Sequence, residues 1–101
     1  MRYLNREINP DDVWRVLKNI RDPQFGESIV DLGLIESIIA EGRIVTIYVN
    51  LSRSIPHCKS CVPVAWMVLR AILREMERTL KKERIKYRIV ENSSGILYAE
   101  G

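Results

Sequence analysis

Residues 44–89 constrain the fold more than any other part of the chain. In Ile44–Leu51 the side chains of Val45, Ile47, Val49 and Leu51 share one face, and Ile44, Thr46, Tyr48 and Asn50 share the other. That is the period of a strand with one face on a core. After an interval of loop character, Ala65, Val68, Leu69, Ile72, Leu73, Met76 and Leu80 recur at helical spacing, a continuous apolar stripe on a helix running to about Lys82. Ile85, Tyr87 and Ile89 then alternate again. A strand, a crossover helix and a strand in one sheet demand a right-handed connection. Few small folds accept such a unit.

The flanking segments complete it. Ile35 to Ile39 reads as a short strand, and Glu41-Gly42 as the turn of a hairpin with the strand that follows. Upstream, Asn9 caps a helix, Pro10 takes its first position, and Asp11 and Asp12 favour its positive end. Val13, Val16, Leu17 and Ile20 form its apolar stripe, and Asp22-Pro23 is expected to end it. The loop Gln24 to Leu34 holds Phe25, Ile29, Val30, Leu32 and Leu34. So many large apolar groups predict a loop lying against the domain, near residues 52–62. Asn92-Ser93-Ser94-Gly95 is a turn, and Ile96 to Ala99 reads either as a short edge strand or as an ordered tail. The order α-β-β-α-β predicts an α+β layer: a small mixed three-stranded sheet with two helices packed on one face.

The chain has 101 residues, the size of one domain, with a core expected over about residues 9–91. No apolar run approaches the roughly 20 residues of a membrane span. Met1–Glu7 mixes charges and carries no secretory pattern. Both points favour the cytoplasm, where two cysteines act as thiols or ligands rather than as a structural disulfide. A net charge of +3 is too mild to mark a nucleic-acid binder. The basic residues Arg70, Arg74, Arg78, Lys81, Lys82, Arg84, Lys86 and Arg88 do cluster. They read as a solvated face, or as a docking surface for an acidic partner or nucleic acid. Against nucleic acid, no known motif is present and the aromatic residues do not interleave with the basic run. Met67 projects away from the helical stripe and Trp66 borders it.

The chemistry concentrates between the second strand and the long helix. Ser52-Arg-Ser-Ile-Pro-His-Cys-Lys-Ser-Cys-Val62 contains both cysteines and the single histidine. Cys58 lies just before a helix N-terminus, where backbone N–H groups and the helix dipole favour a thiolate. Cys61 completes a Cys-x-x-Cys beside His57. Two thiolates and an imidazole suit iron–sulfur species or zinc. A closed mononuclear site needs one more ligand, from Asp22, Asp31 or a second subunit. The same residues also read more plainly, with Cys61 as a small buried residue of the first helical turn and His57 as a loop histidine.

Ile20-Arg-Asp-Pro-Gln24, Ser28-Ile-Val-Asp-Leu-Gly-Leu-Ile35 and the Cys58 loop before a long helix resemble the family once called domain of unknown function 59. Its members include SufT-like and PaaD-like proteins and the eukaryotic targeting factor of cytosolic iron–sulfur assembly, whose loop also reads Pro-His-Cys. The resemblance covers about Val13 to Glu91. It implies a compact domain acting in iron–sulfur protein maturation as an accessory or targeting factor rather than a classical enzyme. It places the reactive cysteine on Cys58, the Asp-Pro aspartate on Asp22, the strand-end hydroxyl on Ser52, and the loop aspartate and glycine on Asp31 and Gly33. Two departures stand out: Gln24 replaces the glutamate usual after Asp-Pro, and Cys61 is outside the general pattern.

The resulting expectation is a factor for iron–sulfur cluster assembly or transfer. Cys58 is its reactive or ligating thiol, Cys58 and Cys61 its metal ligands, and Asp22, Asp31, Ser52 and His57 its pocket. Iron or a cluster would be held transiently, with no other cofactor. Partners would be client proteins and assembly machinery, and a homodimer would supply the ligands that one subunit lacks. Two rivals remain: an adaptor in which surface shape does the work, and a redox protein cycling a Cys58–Cys61 disulfide.

Overall fold

The computed structural model describes residues 8–22, 26–51 and 62–101, with the backbone alone over residues 62–65. The order of elements is α1 (Pro10–Lys18), β1 (Ile35–Glu41), β2 (Ile44–Val49), α2 (Val62–Lys82), β3 (Lys86–Glu91) and β4 (Leu97–Glu100). The sheet runs β1-β2-β3-β4. The outer pairs are antiparallel, and β2 and β3, joined through α2, are parallel.

The expected three strands are therefore four. The tail forms β4 because the turn after β3 closes tightly: Gly95 N–H donates to Glu91 O and Glu91 N–H to Ile96 O, both at 2.8 Å. Gly95 takes a φ of 75° there, open to glycine at little cost. Pairing Leu97 with Val90 and Ala99 with Ile89 then covers an edge of β3 that would otherwise present bare backbone groups.

α1 begins as expected, with Asp11 N–H donating to Asn9 Oδ1 at 2.9 Å. It ends four residues before Asp22. Asn19 N–H and Ile20 N–H reach back only three residues, to Val16 O and Leu17 O, and this tightening closes the helix. Ile20 still turns into the core, 6% exposed.

Val45, Ile47 and Val49 of β2 and Tyr87 and Ile89 of β3 are buried, as are Val13 and Leu17 of α1 and Leu69, Ile72, Met76 and Leu80 of α2. They form one cluster, so the helices cover a single face of the sheet. In β1 the apolar spacing is three, Ile35 to Ile38, which would put the two on opposite faces of a regular strand. A bulge at Glu36 absorbs the extra residue: Ile35 pairs with Val49 and Ile38 with Ile47, and both reach the core. The other face carries Ile39, Ile44 and Leu97, each at least 40% exposed.

The end of α2 fixes the return into β3. Ile85 N–H donates to Leu80 O at 2.9 Å, and Arg84 between them sits at φ 60°. This is a left-handed helix termination sealed by an apolar contact between the buried Leu80 and Ile85.

Candidate functional site

The parallel pair β2–β3 has two ends, and the polar chemistry lies at the C-terminal one. The buried polar side chains among the described residues are Asp22, Ser28, Asn50 and Glu91. A relay of backbone hydrogen bonds assembles them. Ile29 N–H donates to Ile20 O (2.9 Å), Leu34 N–H to Ile29 O (3.1 Å), Asn50 N–H to Leu34 O (2.8 Å) and Asn92 N–H to Val49 O (2.8 Å). The loop after α1 is thus fastened to the end of β2, beside the turn that follows β3. Segment 52–61 leaves from this same point. Ligand sites of α/β layers favour such strand ends.

The apolar content of the loop explains its placement. Ile29 and Leu34 are buried, and Val30 and Leu32 pack against the core, as expected for a loop lying on the domain. One compact turn carries it, with Leu32 N–H on Ser28 O and Gly33 N–H on Val30 O. Gly33 takes φ 76°, a conformation that strains other residues. The Ser28 hydroxyl accepts from Val30 N–H at 3.2 Å.

Asp22 is 7% exposed and is held by a tight reversal. Its N–H donates to Glu27 O and its carbonyl accepts from Gly26 N–H, both at 2.8 Å. Arg21 Nη1 ties the same turn by donating to Gly26 O at 2.7 Å. Asp22 and Glu91 both have further partners, so neither is a bare buried charge. Asp31, in contrast, is exposed in the compact turn. The two aspartates read together from the sequence thus occupy different environments. Ser52, His57, Cys58 and Cys61 lie outside the described residues, as do Pro23, Gln24 and Phe25. The expected proximity of the 24–34 loop to 52–62 lies outside the described residues; the described part of the loop meets Asn50, whose N–H donates to Leu34 O at 2.8 Å. Among the described residues no three histidine, cysteine, aspartate or glutamate side chains group as a metal site.

Two buried polar residues lie outside the pocket that the sequence marks. The alternation of β2 puts Asn50 on its outward face. The strand ends at Val49, and Asn50 turns inward to 5% exposure, donating from Nδ2 to Glu36 Oε2 at 2.7 Å. Glu91 ends β3. It is 2% exposed and accepts from the hydroxyls of Tyr98 (2.9 Å) and Ser93 (3.4 Å). Its signal was legible: Ile85, Tyr87, Ile89 and Glu91 share one phase, so the glutamate had to face the core. Burial, and then the Glu91 carboxylate, push the Tyr98 hydroxyl up to about 12. At the opposite end of the sheet Tyr87 donates to Glu77 Oε1 at 2.7 Å. Burial first, and Glu77 second, raise its pKa further. Glu77, expected opposite the helical stripe, is half-buried by that bond.

A family model described as "iron-sulfur cluster assembly protein" matches residues 10–85. The match runs from the first turn of α1 to the threshold of β3, three quarters of the chain, and the protein belongs to that family. An uncharacterized protein of Methanocaldococcus jannaschii is 30% identical over 76 residues, covering 75% of this chain and 78% of its own. No solved structure matches. The matched residues include Asp22, Asp31, Ser52, His57, Cys58 and Cys61. Glu91 and Tyr98 lie beyond them. No described helix is long and apolar enough to cross a membrane.

Proposed function

We propose that this protein is an accessory factor that assembles iron–sulfur clusters or transfers them to client proteins, with Cys58 as the reactive or ligating thiol. The observation that carries the reading is the family match over residues 10–85, which contains Cys58 ahead of α2. Iron or the cluster is cargo, held transiently. Thiolate is a soft ligand that suits it, and His57 and Cys61 add donors of the right kind. Asp22, buried on the loop fastened to Asn50, shapes the approach, Asp31 meets incoming groups from the exposed turn, and Ser52 is assigned to the same pocket by the family resemblance alone. The finer kinship we favour is with the SufT-like and PaaD-like proteins and the eukaryotic targeting factor. The role is that of a carrier rather than an enzyme. It works in the cytoplasm with client proteins and assembly machinery, and as a homodimer where one subunit offers too few ligands.

Anaerobic reconstitution with iron and sulfide tests this reading, comparing the native protein with Cys58→Ala and Cys61→Ala by visible absorption and bound iron. Loss of the cluster in both variants supports a two-thiol site, and loss in Cys58→Ala alone supports one ligand per subunit. No cluster in the native protein overturns the carrier role. A second reading, an adaptor that joins the assembly machinery to its clients, is favoured by the open sheet face with Ile39, Ile44 and Leu97 exposed, since exposed apolar patches mark interaction surfaces.

A further inference from the structure

The outer face of α2 carries a charged stripe that the cluster chemistry does not use. Met67, Arg70, Arg74, Arg78 and Lys81 stand at i, i+3, i+7, i+11 and i+14, a spacing that keeps them on one side of a helix. All five are exposed, Met67 at 70%. Two clefts of about 290 Å³ each flank the stripe. One is lined by Arg74 and Glu75 together with Arg21 from the loop after α1. The other is lined by Arg78, Lys82 and Glu83 together with Val16 and Asn19 of the α1 end.

Glu75 offsets one cation of this row by pairing with Arg78 at 3.0 Å, and Glu77 is turned to the Tyr87 hydroxyl, which donates to it at 2.7 Å. Arg70 and Arg74 form no ion pair among the described residues. Lys81 and Lys82 sit in the last turn of α2, where the helix dipole alone favours cations. That account does not extend to Arg70 and Arg74 in the middle of the helix, nor to Arg21 outside it.

We propose that the outer face of α2 docks an acidic segment of another protein, with an apolar residue of that segment on Met67 and its carboxylates along Arg70, Arg74 and Arg78. Charge complementarity selects the sign of the partner, and arginine forks bind carboxylates in pairs. Met67 selects polypeptide over nucleic acid, because a phosphate backbone would leave that side chain in water while a peptide covers it. A helix rise of 1.5 Å per residue puts Met67 and Lys81 about 21 Å apart. An extended chain spans that in about six residues. The proposal uses no residue of segment 52–61, so it and the Cys58 reading can fail separately.

The test is fluorescence anisotropy with a labelled peptide of about eight residues, a leucine followed by alternating aspartate and glutamate, titrated with the full chain. The native protein should bind it saturably and lose affinity with added salt. Arg70→Glu with Arg74→Glu should weaken binding about tenfold or more, and Met67→Ser about threefold. Arg43→Glu with Lys86→Glu makes the same change in net charge at exposed positions elsewhere, and should leave binding within a factor of about two. Equal loss in the two double variants would reduce the effect to net charge and overturn the proposal. So would the absence of saturable binding, no effect of Met67→Ser, or tighter binding to single-stranded DNA of equal charge or to phosphatidylserine vesicles.

Discussion

The two ends of the β2–β3 pair are built on different principles. At the N-terminal end the chain reverses through tight turns at Gly42 and Arg84, and Val45, Leu80 and Ile85 bury hydrocarbon. Among the described residues buried there Tyr87 brings a hydroxyl, and it donates to Glu77. At the C-terminal end Asp22, Ser28, Asn50 and Glu91 are all withdrawn from water. Burying polar groups costs free energy unless each finds a partner, and stability alone would favour apolar residues of similar size. The asymmetry teaches which end has been shaped by something other than stability. It is the end from which segment 52–61 departs.

The comparison can be broken most forcefully at the apolar end. Leu80→Ala should lower unfolding free energy by about 2–5 kcal/mol, read as a shifted denaturant midpoint with an unchanged slope. A much smaller loss would mean that this end is not the mechanical anchor. At the polar end Glu91→Ala should cost about 1–3 kcal/mol, because the Tyr98 hydroxyl loses its acceptor inside the fold. No loss would place that pair in effective contact with water. Tyr98→Phe is the milder version, with about 1 kcal/mol lost in the same assay.

Tyr98 also gives the comparison a pH signature. Its folded pKa, about 12, lies above the ordinary 10.0. The neutral hydroxyl is the form the fold prefers, so its stabilisation is complete below pH 10 and is lost as pH rises through about 12. Unfolding free energy should fall across that window, and more shallowly in Tyr98→Phe. Parallel curves for the two proteins would contradict the Glu91–Tyr98 bond. The smallest effect belongs to the open face: Ile39→Ser, at 47% exposure, should change stability by no more than about 0.5 kcal/mol.

Much of this contrast was legible in the sequence. Alternation in 45–51 and 85–89 and the stripe from Val68 to Leu80 set the core face, and Asn9-Pro10 set the start of α1. The apolar loop announced its own burial through Ile29 and Leu34. Three features resisted. β4 depends on a partner edge and a tight turn, not on its own four residues. The bulge at Glu36 hides in a spacing of three, Ile35 to Ile38, which breaks the alternation of a regular strand. Asn50 is decided by where β2 stops pairing, which local pattern does not encode. Glu91 was readable from its phase, but a charged residue on a core face runs against the ordinary expectation. Residues 52–61, where the sequence concentrates its chemistry, lie within the stretch that the family model matches.

The most direct test of the working end is made in cells. In a host lacking the native gene, the activity of a panel of iron–sulfur enzymes would be measured with the native chain, with Cys58→Ala and with the open-face control Ile39→Ser. The account predicts that Cys58→Ala falls to the level of the empty host while Ile39→Ser matches the native chain. Full activity with Cys58→Ala would contradict it, and a loss confined to Ile39→Ser would move function from the end of the parallel pair to the open face of the sheet.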